Sequence, residues 1–309
     1  MVRVCQDWYP KGWDKRQLKD GFHLHDTLKE QLDILIKNVV NDWDFTIIIS
    51  GSGEVRVGKS VLAMQIAAYW AYEMQRLFKK RVIFEIKTNI VFDGRKLIQQ
   101  GNYLGQNYSF NPLVFDEAGA DLEGKKAMQT ITQDVLDFYR ECGQYNLLNI
   151  LVIPDFFDLP KGIALTRSMF LLDVYYNANE EGIFERGYFR FYSKRNKKQL
   201  YLKGKRELNY NAHTFNFRGN FRPFYPIDET EYRKAKQEAL VKRENKRRNK
   251  FQMQRDACWY IFNQELGWAQ EKIAIRMENL TGIYVDQSVI SDGIRHYMSD
   301  DERRRTERK

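Results

Sequence analysis

Gly53-Glu-Val-Arg-Val-Gly58-Lys59-Ser60 has the spacing GxxxxGK[ST], and its residue types answer to the chemistry of a phosphate chain. Successive backbone N–H groups must curl around a β-phosphate, and glycine permits both the unusual dihedrals and the close approach. Lys59 would neutralise charge on the β- and γ-phosphates, and Ser60 would place its hydroxyl on Mg²⁺. A helix beginning here adds its positive dipole end. The expected nucleotide-binding segment is Gly53, Glu54, Val55, Arg56, Val57, Gly58, Lys59, Ser60 and Val61, with ATP as the nucleotide. The second half of such a site is in Leu113-Val-Phe-Asp116-Glu117, an apolar strand ending in two carboxylates. Asp116 would hold Mg²⁺ through water, and Glu117 would orient and deprotonate the attacking water. A protein that only binds nucleotide has no need of the second carboxylate, so a Mg²⁺-dependent ATPase is expected. The plainer alternative is an Asp-Glu pair that caps the following turn.

Two further groups complete the chemistry. A neighbouring strand, Ile150-Leu-Val-Ile-Pro154-Asp155, ends in Asp155 at the place where a polar side chain would sense the γ-phosphate. There an anion would face an anion, so holding water or metal, or pairing with an arginine, are its alternatives. Charge on the transferring phosphoryl group is often offset by an arginine from the next subunit. Arg167 and Arg140 are the candidates, with a surface salt bridge as the bland reading of each.

The elements that must position these residues are legible as alternating strands and helices. Phe45-Thr-Ile-Ile-Ile-Ser50 is a β-branched run suited to a buried parallel strand, and Ser60 to Leu77 holds no Gly or Pro to break a helix. A helix from Asp26 or Thr27 to about Asn41 precedes them. Strands are expected at Val82–Ile86, Asn111–Glu117, Leu148–Ile153 and Ser168–Tyr176, with a helix from about Lys125 to Glu141. This order implies an α/β fold with a parallel sheet covered on both faces. Tyr188–Tyr192 and Gln199–Leu202 flank Lys194-Arg-Asn-Lys-Lys198 and read as a β-hairpin with a cationic tip, and a long helix follows from Asp228.

Charge singles out the same stretch. The 309 residues carry a net charge of +9, and between Glu185 and Ile227 eleven Lys and Arg stand against two Glu. That segment alone matches the whole excess, and it suggests a polyanionic partner, DNA, where the alternative is a merely soluble hairpin. Lys194, Arg195, Lys197, Lys198, Lys203, Lys205 and Arg206 are the candidate contacts. Cys5, Cys142 and Cys258 are odd in number and widely spaced, form no metal-ligand spacing and suggest a reducing compartment. No apolar stretch approaches a membrane span and the N-terminus is not a signal peptide, so a cytoplasmic location is expected.

The phosphate loop, Asp116-Glu117-Ala-Gly, Phe138-Tyr-Arg140-Glu-Cys-Gly143, the apolar strand with a polar end and Ile163-Ala-Leu-Thr-Arg167 together resemble the FtsK/HerA branch of additional-strand P-loop ATPases. Within it they come nearest to zonular-occludens-toxin-like and conjugation-type ATPases of phages, plasmids and archaeal elements. The similarity spans about residues 40–177. It implies a RecA-like core, a homo-oligomeric ring of five or six subunits with the arginine finger acting in trans, and a motor that moves DNA or drives particle assembly. Capsid or transfer-machinery proteins are further implied partners, and the cytoplasm would be that of a prokaryotic host. The chain departs from the branch at Pro154-Asp155, where Gln is common, and from zonular-occludens-type proteins, which usually continue into a membrane segment, in showing none.

Residues 254–298 read as three short helices, about Arg255–Leu266, Ala269–Leu280 and Gln287–Tyr297, with Cys258, Ile261 and Phe262 sharing the buried face of the first. The last two resemble a helix-turn-helix, which would turn Gln287, Ser288, Ser291 and Arg295 to DNA, although Thr281–Asp286 is longer than the usual turn. A plain three-helix packing or oligomerisation module is the alternative. The expected organisation is an arm at 1–25, an ATPase domain at 26–227 with its basic hairpin at about 186–206, a basic helical linker at 228–252, and the C-terminal module with a charged tail at 253–309. The reading is an ATP-hydrolysing oligomeric motor on DNA for translocation, packaging or transfer in a virus, plasmid or other mobile element. Its rivals are an AAA+-like initiator or loader, an ATP-gated DNA-binding regulator and an ATPase for particle assembly.

Overall fold

Phe45–Ser50 is buried along its whole length, and its residues divide between two cores: Phe45, Ile47 and Ile49 enter one, Ile48 the other. Alternation at period two sends the branched side chains to opposite faces of one sheet, so both faces need helices. The computed structural model describes residues 2–4, 22–52, 56–116, 130–246 and 250–307. In chain order its strands are β1 (Val2–Val4), β2 (Phe22–Leu24), β3 (Phe45–Ser50), β4 (Ile90–Val91), β5 (Pro112–Phe115), β6 (Leu148–Val152), β7 (Ser168–Ala178), β8 (Phe184–Tyr192) and β9 (Phe217–Asn220). The helices are α1 (Asp26–Val39), α2 (Lys59–Phe78), α3 (Ile86–Asn89), α4 (Gly94–Asn107), α5 (Thr130–Glu141), α6 (Lys194–Gly204), α7 (Glu229–Lys246), α8 (Lys250–Tyr260), α9 (Gln270–Thr281) and α10 (Gln287–Glu307).

The main sheet runs β4-β5-β6-β3-β7-β8-β9, parallel through β7 and antiparallel at β8 and β9. The fold is α/β with a mostly parallel sheet. β1 and β2 form a separate antiparallel pair at the ends of the segment expected to be irregular, and residues 5–21 lie outside the described ones. One core is closed by α1 through Leu28, Leu32, Leu35, Ile36 and Val39, and by α2, whose residues from Val61 to Ala71 are all buried. The other is closed by α4, α5, Phe156, Phe157 and α6.

Two expected elements are corrected. Val82–Ile86 is not a strand, because side-chain amides take the backbone groups a ladder would use. Gln75 Nε2 donates to the Val82 carbonyl at 2.6 Å, and the amides of Ile83 and Glu85 donate to Asn111 and Asn89 at 2.8 and 2.9 Å. The strand instead begins at Ile90. The cationic hairpin tip is also absent: Lys194–Gly204 is helix, and β8 pairs with β7 and β9. Lys197, Leu200, Tyr201 and Gly204 are its buried residues, at the spacing of a helical face, with the Ser193 hydroxyl accepting from the Asn196 amide at the start.

The chain divides into two compact units, Met1–Ala239 and Leu240–Lys309. In the second, Trp259, Ile273, Ile290 and Ile294 from α8, α9 and α10 form the core. Cys258 and Ile261 face solvent, so the buried face of the first of these helices is centred one residue on from Cys258, at Trp259. No helix among the described residues is long and apolar enough to cross a membrane.

Candidate nucleotide site

Parallel strands bring their C-terminal ends to one side of the sheet. Ile49 lies opposite Val152 and Phe115 opposite Leu151, which sets Ser50, Asp116 and Ile153 at about one level. β3 leads through the phosphate loop into α2, whose first residues are Lys59 and Ser60. Gly58 sits at φ 107° with the Phe221 ring 3.0 Å from where a Cβ would be, so both backbone and space demand glycine. Arg56 is exposed, Val57 and Val61 are buried, and Gly53, Glu54 and Val55 lie outside the described residues.

Ser60 Oγ donates to Asp116 Oδ1 at 3.1 Å and lies 3.3 Å from Oδ2. Asp116 is buried at the end of β5, where its amide donates to the Val91 carbonyl. A buried carboxylate beside a hydroxyl is a hard-oxygen set of the kind Mg²⁺ takes. Among the described residues no group of three His, Cys, Asp or Glu side chains could hold a metal alone. A divalent ion here would therefore complete its shell with phosphate oxygens and water. Glu117 lies outside the described residues.

Among the described residues Asp116 also has partners on α7 that sequence reasoning missed. From α7, the Tyr232 hydroxyl donates to Asp116 Oδ2, and Lys236 Nζ stands 3.1 Å from the same oxygen. Burial first, and then the Asp116 charge, push the Tyr232 phenol far above its ordinary range, so it stays a donor. The preceding chain is fixed by Gln65 of α2, whose Nε2 donates to the carbonyls of Arg222 and Phe224 at 2.8 Å each. The only signal was a narrow stripe, Tyr232, Ala235, Lys236 and Ala239, on an otherwise charged helix.

At the end of β6, Asp155 is held by a tyrosine rather than by an arginine. Tyr210 donates to Asp155 Oδ1 at 2.9 Å and accepts from the Phe156 amide at 2.8 Å, and its oxygen is 3.4 Å from Ser50 Oγ. Asp155 Oδ1 also accepts from the Phe157 amide at 2.9 Å, capping a short helical turn. Ser50 lies opposite the buried Asp173, which has Arg190 at 3.7 Å. Burial, then Asp155 and Asp173, push the Tyr210 phenol up. Tyr210 lies in irregular chain between α6 and β9 and had no periodic signal.

Among the described residues both candidate arginines pair with carboxylates outside the phosphate loop. Arg167 precedes Ser168, which pairs with Thr46 at the opposite end of β3, and its guanidinium binds Asp44 with Cys142 Sγ at 3.5 Å. Burial outweighs Arg167 and raises the Asp44 carboxyl. Arg140 is exposed at the end of α5 and pairs with Asp137 at 2.6 Å.

Of the basic candidates, Lys194, Arg195, Lys198, Lys203, Lys205 and Arg206 are exposed on α6 and the turn after it. Lys197 is corrected: it is fully buried, donating to the Ala164 carbonyl at 2.5 Å and to Ser168 Oγ at 2.7 Å. Burial, with Lys194 nearby, brings its ammonium from 10.5 to about 7. The unfolded chain keeps that proton to its ordinary value, so between these pH values it binds more protons than the folded chain, and stability rises with pH. Lys197→Met should therefore gain on the wild type most below pH 7, by a few kcal/mol at most, and lose that advantage towards pH 10. Thermal melts of both proteins across pH 6.5–9.5 check this; a parallel pair of curves would refute it. In the second unit Gln287, Ser288 and Arg295 are exposed and Ser291 is half-buried, with the Ser288 amide donating to Asp286 at 2.7 Å.

No family model matches the chain, and no curated protein does. Among solved structures it is similar to the genome packaging NTPase B204 from Sulfolobus turreted icosahedral virus 2 in complex with AMPPCP. That match has 16% identity over 51% of this chain and 95% of that one, with a TM-score of 0.33. It is likewise similar to B204, the DNA-packaging ATPase from Sulfolobus Turreted Icosahedral Virus, at 15% identity over 50% of this chain and 95% of that one, with a TM-score of 0.34.

Proposed function

We propose that this chain is an ATP-hydrolysing motor acting on DNA, for translocation, packaging or transfer in a virus, plasmid or other mobile element. The observation that carries the reading is Ser60 against the buried Asp116, at the start of α2 and at the C-terminal ends of the parallel strands. Ligands of open α/β sheets gather at that edge. Lys59 and the loop amides bind the phosphates, Ser60 and Asp116 hold Mg²⁺, and Glu117 takes the proton of the attacking water. Mg²⁺, when bound, offsets charge on the β- and γ-phosphate oxygens. Arg140, exposed at the end of α5, suits a finger offered to a neighbouring subunit of a homo-oligomeric ring, as in the FtsK/HerA branch that the motifs resemble, whereas Arg167 is engaged by Asp44. The exposed cations of α6 and the exposed Gln287, Ser288 and Arg295 of α10 are the DNA contacts.

Steady-state hydrolysis with long duplex DNA, single-stranded DNA and no nucleic acid tests this, with Glu117→Gln as control. Stimulation should grow with DNA length, weaken steeply with salt and vanish in the variant. A slow rate indifferent to DNA would remove the motor and favour an initiator, a regulator or an assembly ATPase.

A further inference from the structure

We propose that Lys236 is a stand-in cation of the nucleotide site: its ammonium neutralises Asp116 when no metal is bound and must leave when Mg²⁺ and nucleotide enter. This rests on the reading of the site as an ATPase. Asp116 is 1% exposed, and a buried carboxylate needs a compensating charge. Its Oδ1 faces Ser60, the hydroxyl expected to hold the metal, while Oδ2 receives Tyr232 and Lys236. The ammonium is thus on the same carboxylate that would bind a divalent ion. Two cations on one carboxylate repel, so binding of the metal and retention of Lys236 oppose each other.

The two side chains of α7 are held unequally. Tyr232 is buried and fixed by the rings of Phe92 and Tyr225, with centroids 5.9 and 5.4 Å away. The Lys236 side chain is 24% exposed and ends a flexible four-carbon stem, so it can swing aside while the tyrosine stays. The helix is seated by the Phe221 ring against Gly58, the two carbonyls on Gln65, and Ala235 and Ala239 on the core. The lysine is therefore delivered to the metal position by structure that grips the phosphate-loop helix itself.

The test is Mn²⁺ binding in the presence of ADP, read from the free-ion electron paramagnetic resonance signal, for the full-length wild type, Lys236→Met and Lys236→Arg. Removing the competing charge should lower the apparent Mn²⁺ dissociation constant by about tenfold in Lys236→Met. Lys236→Arg, which keeps the charge, should stay close to the wild type. Unchanged or weaker Mn²⁺ binding in Lys236→Met overturns the inference and makes the lysine a phosphate ligand or a structural ion pair. Equal tightening in both variants overturns it too, since charge would not be the cause. If the wild type lowers the free-ion signal no further than ADP alone does, the ATPase reading is overturned, an outcome distinct from the other two.

Discussion

Lys59→Ala is expected to lower the steady-state ATPase rate by roughly 10²–10³-fold, the loss that follows removal of one preorganised group from developing transition-state charge. Lys59 opens α2, so its ammonium acts together with the positive end of a 20-residue helix, and on the proposed reading both would act on the β- and γ-phosphates. Alanine is a good helix former at that position and Lys59 is only half-buried, so folding should be spared. The informative pair is the hydrolysis rate and the thermal midpoint: the first should collapse while the second moves by a degree or two. Lys59→Arg should rescue little, since a planar guanidinium does not reproduce a compact point charge. A variant that hydrolyses ATP at the wild-type rate would remove the phosphate-loop mechanism altogether.

The largest effect on stability belongs to Trp70. It is fully buried in α2, and its indole N–H donates to the Phe110 carbonyl at 2.8 Å. Trp70→Ala removes the packing, leaves a cavity between helix and sheet and strands a carbonyl, at a cost of about 3–5 kcal/mol. For a unit of this size that is roughly 6–20 °C in Tm. Trp43, 60% exposed, supplies the matched control, and Trp43→Ala should lie within about 0.5 kcal/mol of the wild type. Equal losses at the two positions, measured by thermal or urea unfolding, would show that α2 is not packed as described.

What the sequence could reveal followed from how local each signal was. β3 and α2 were legible because an unbroken β-branched run and a long stretch without breakers each admit one reading. Val82–Ile86 has the composition of a strand but gives its backbone to Gln75, Asn89 and Asn111, partners that composition does not reveal. Gln199–Leu202 is too short for its period to be decided, and only the wider spacing from Lys197 to Gly204 betrays the helix. In the second unit a shift of one residue, from Cys258 to Trp259, turns the buried face by about 100°. The site divides the same way. Ser60 and Asp116, 56 residues apart, were paired by motif chemistry. Tyr232, 116 residues from Asp116, and Tyr210, 55 from Asp155, are single hydroxyls whose roles exist only after folding.

The ends of the main sheet bear on how copies of this chain can crowd together. β4 contributes two residues and β9 four, with Arg218 exposed in the latter. Such short, partly charged margins offer little backbone for a strand of another molecule to zip onto. Copies of this chain at high local concentration are thereby hindered from fusing sheet to sheet into fibres. Contacts between copies are then left mainly to side chains, and associations of that kind, unlike a shared strand ladder, can be made and remade.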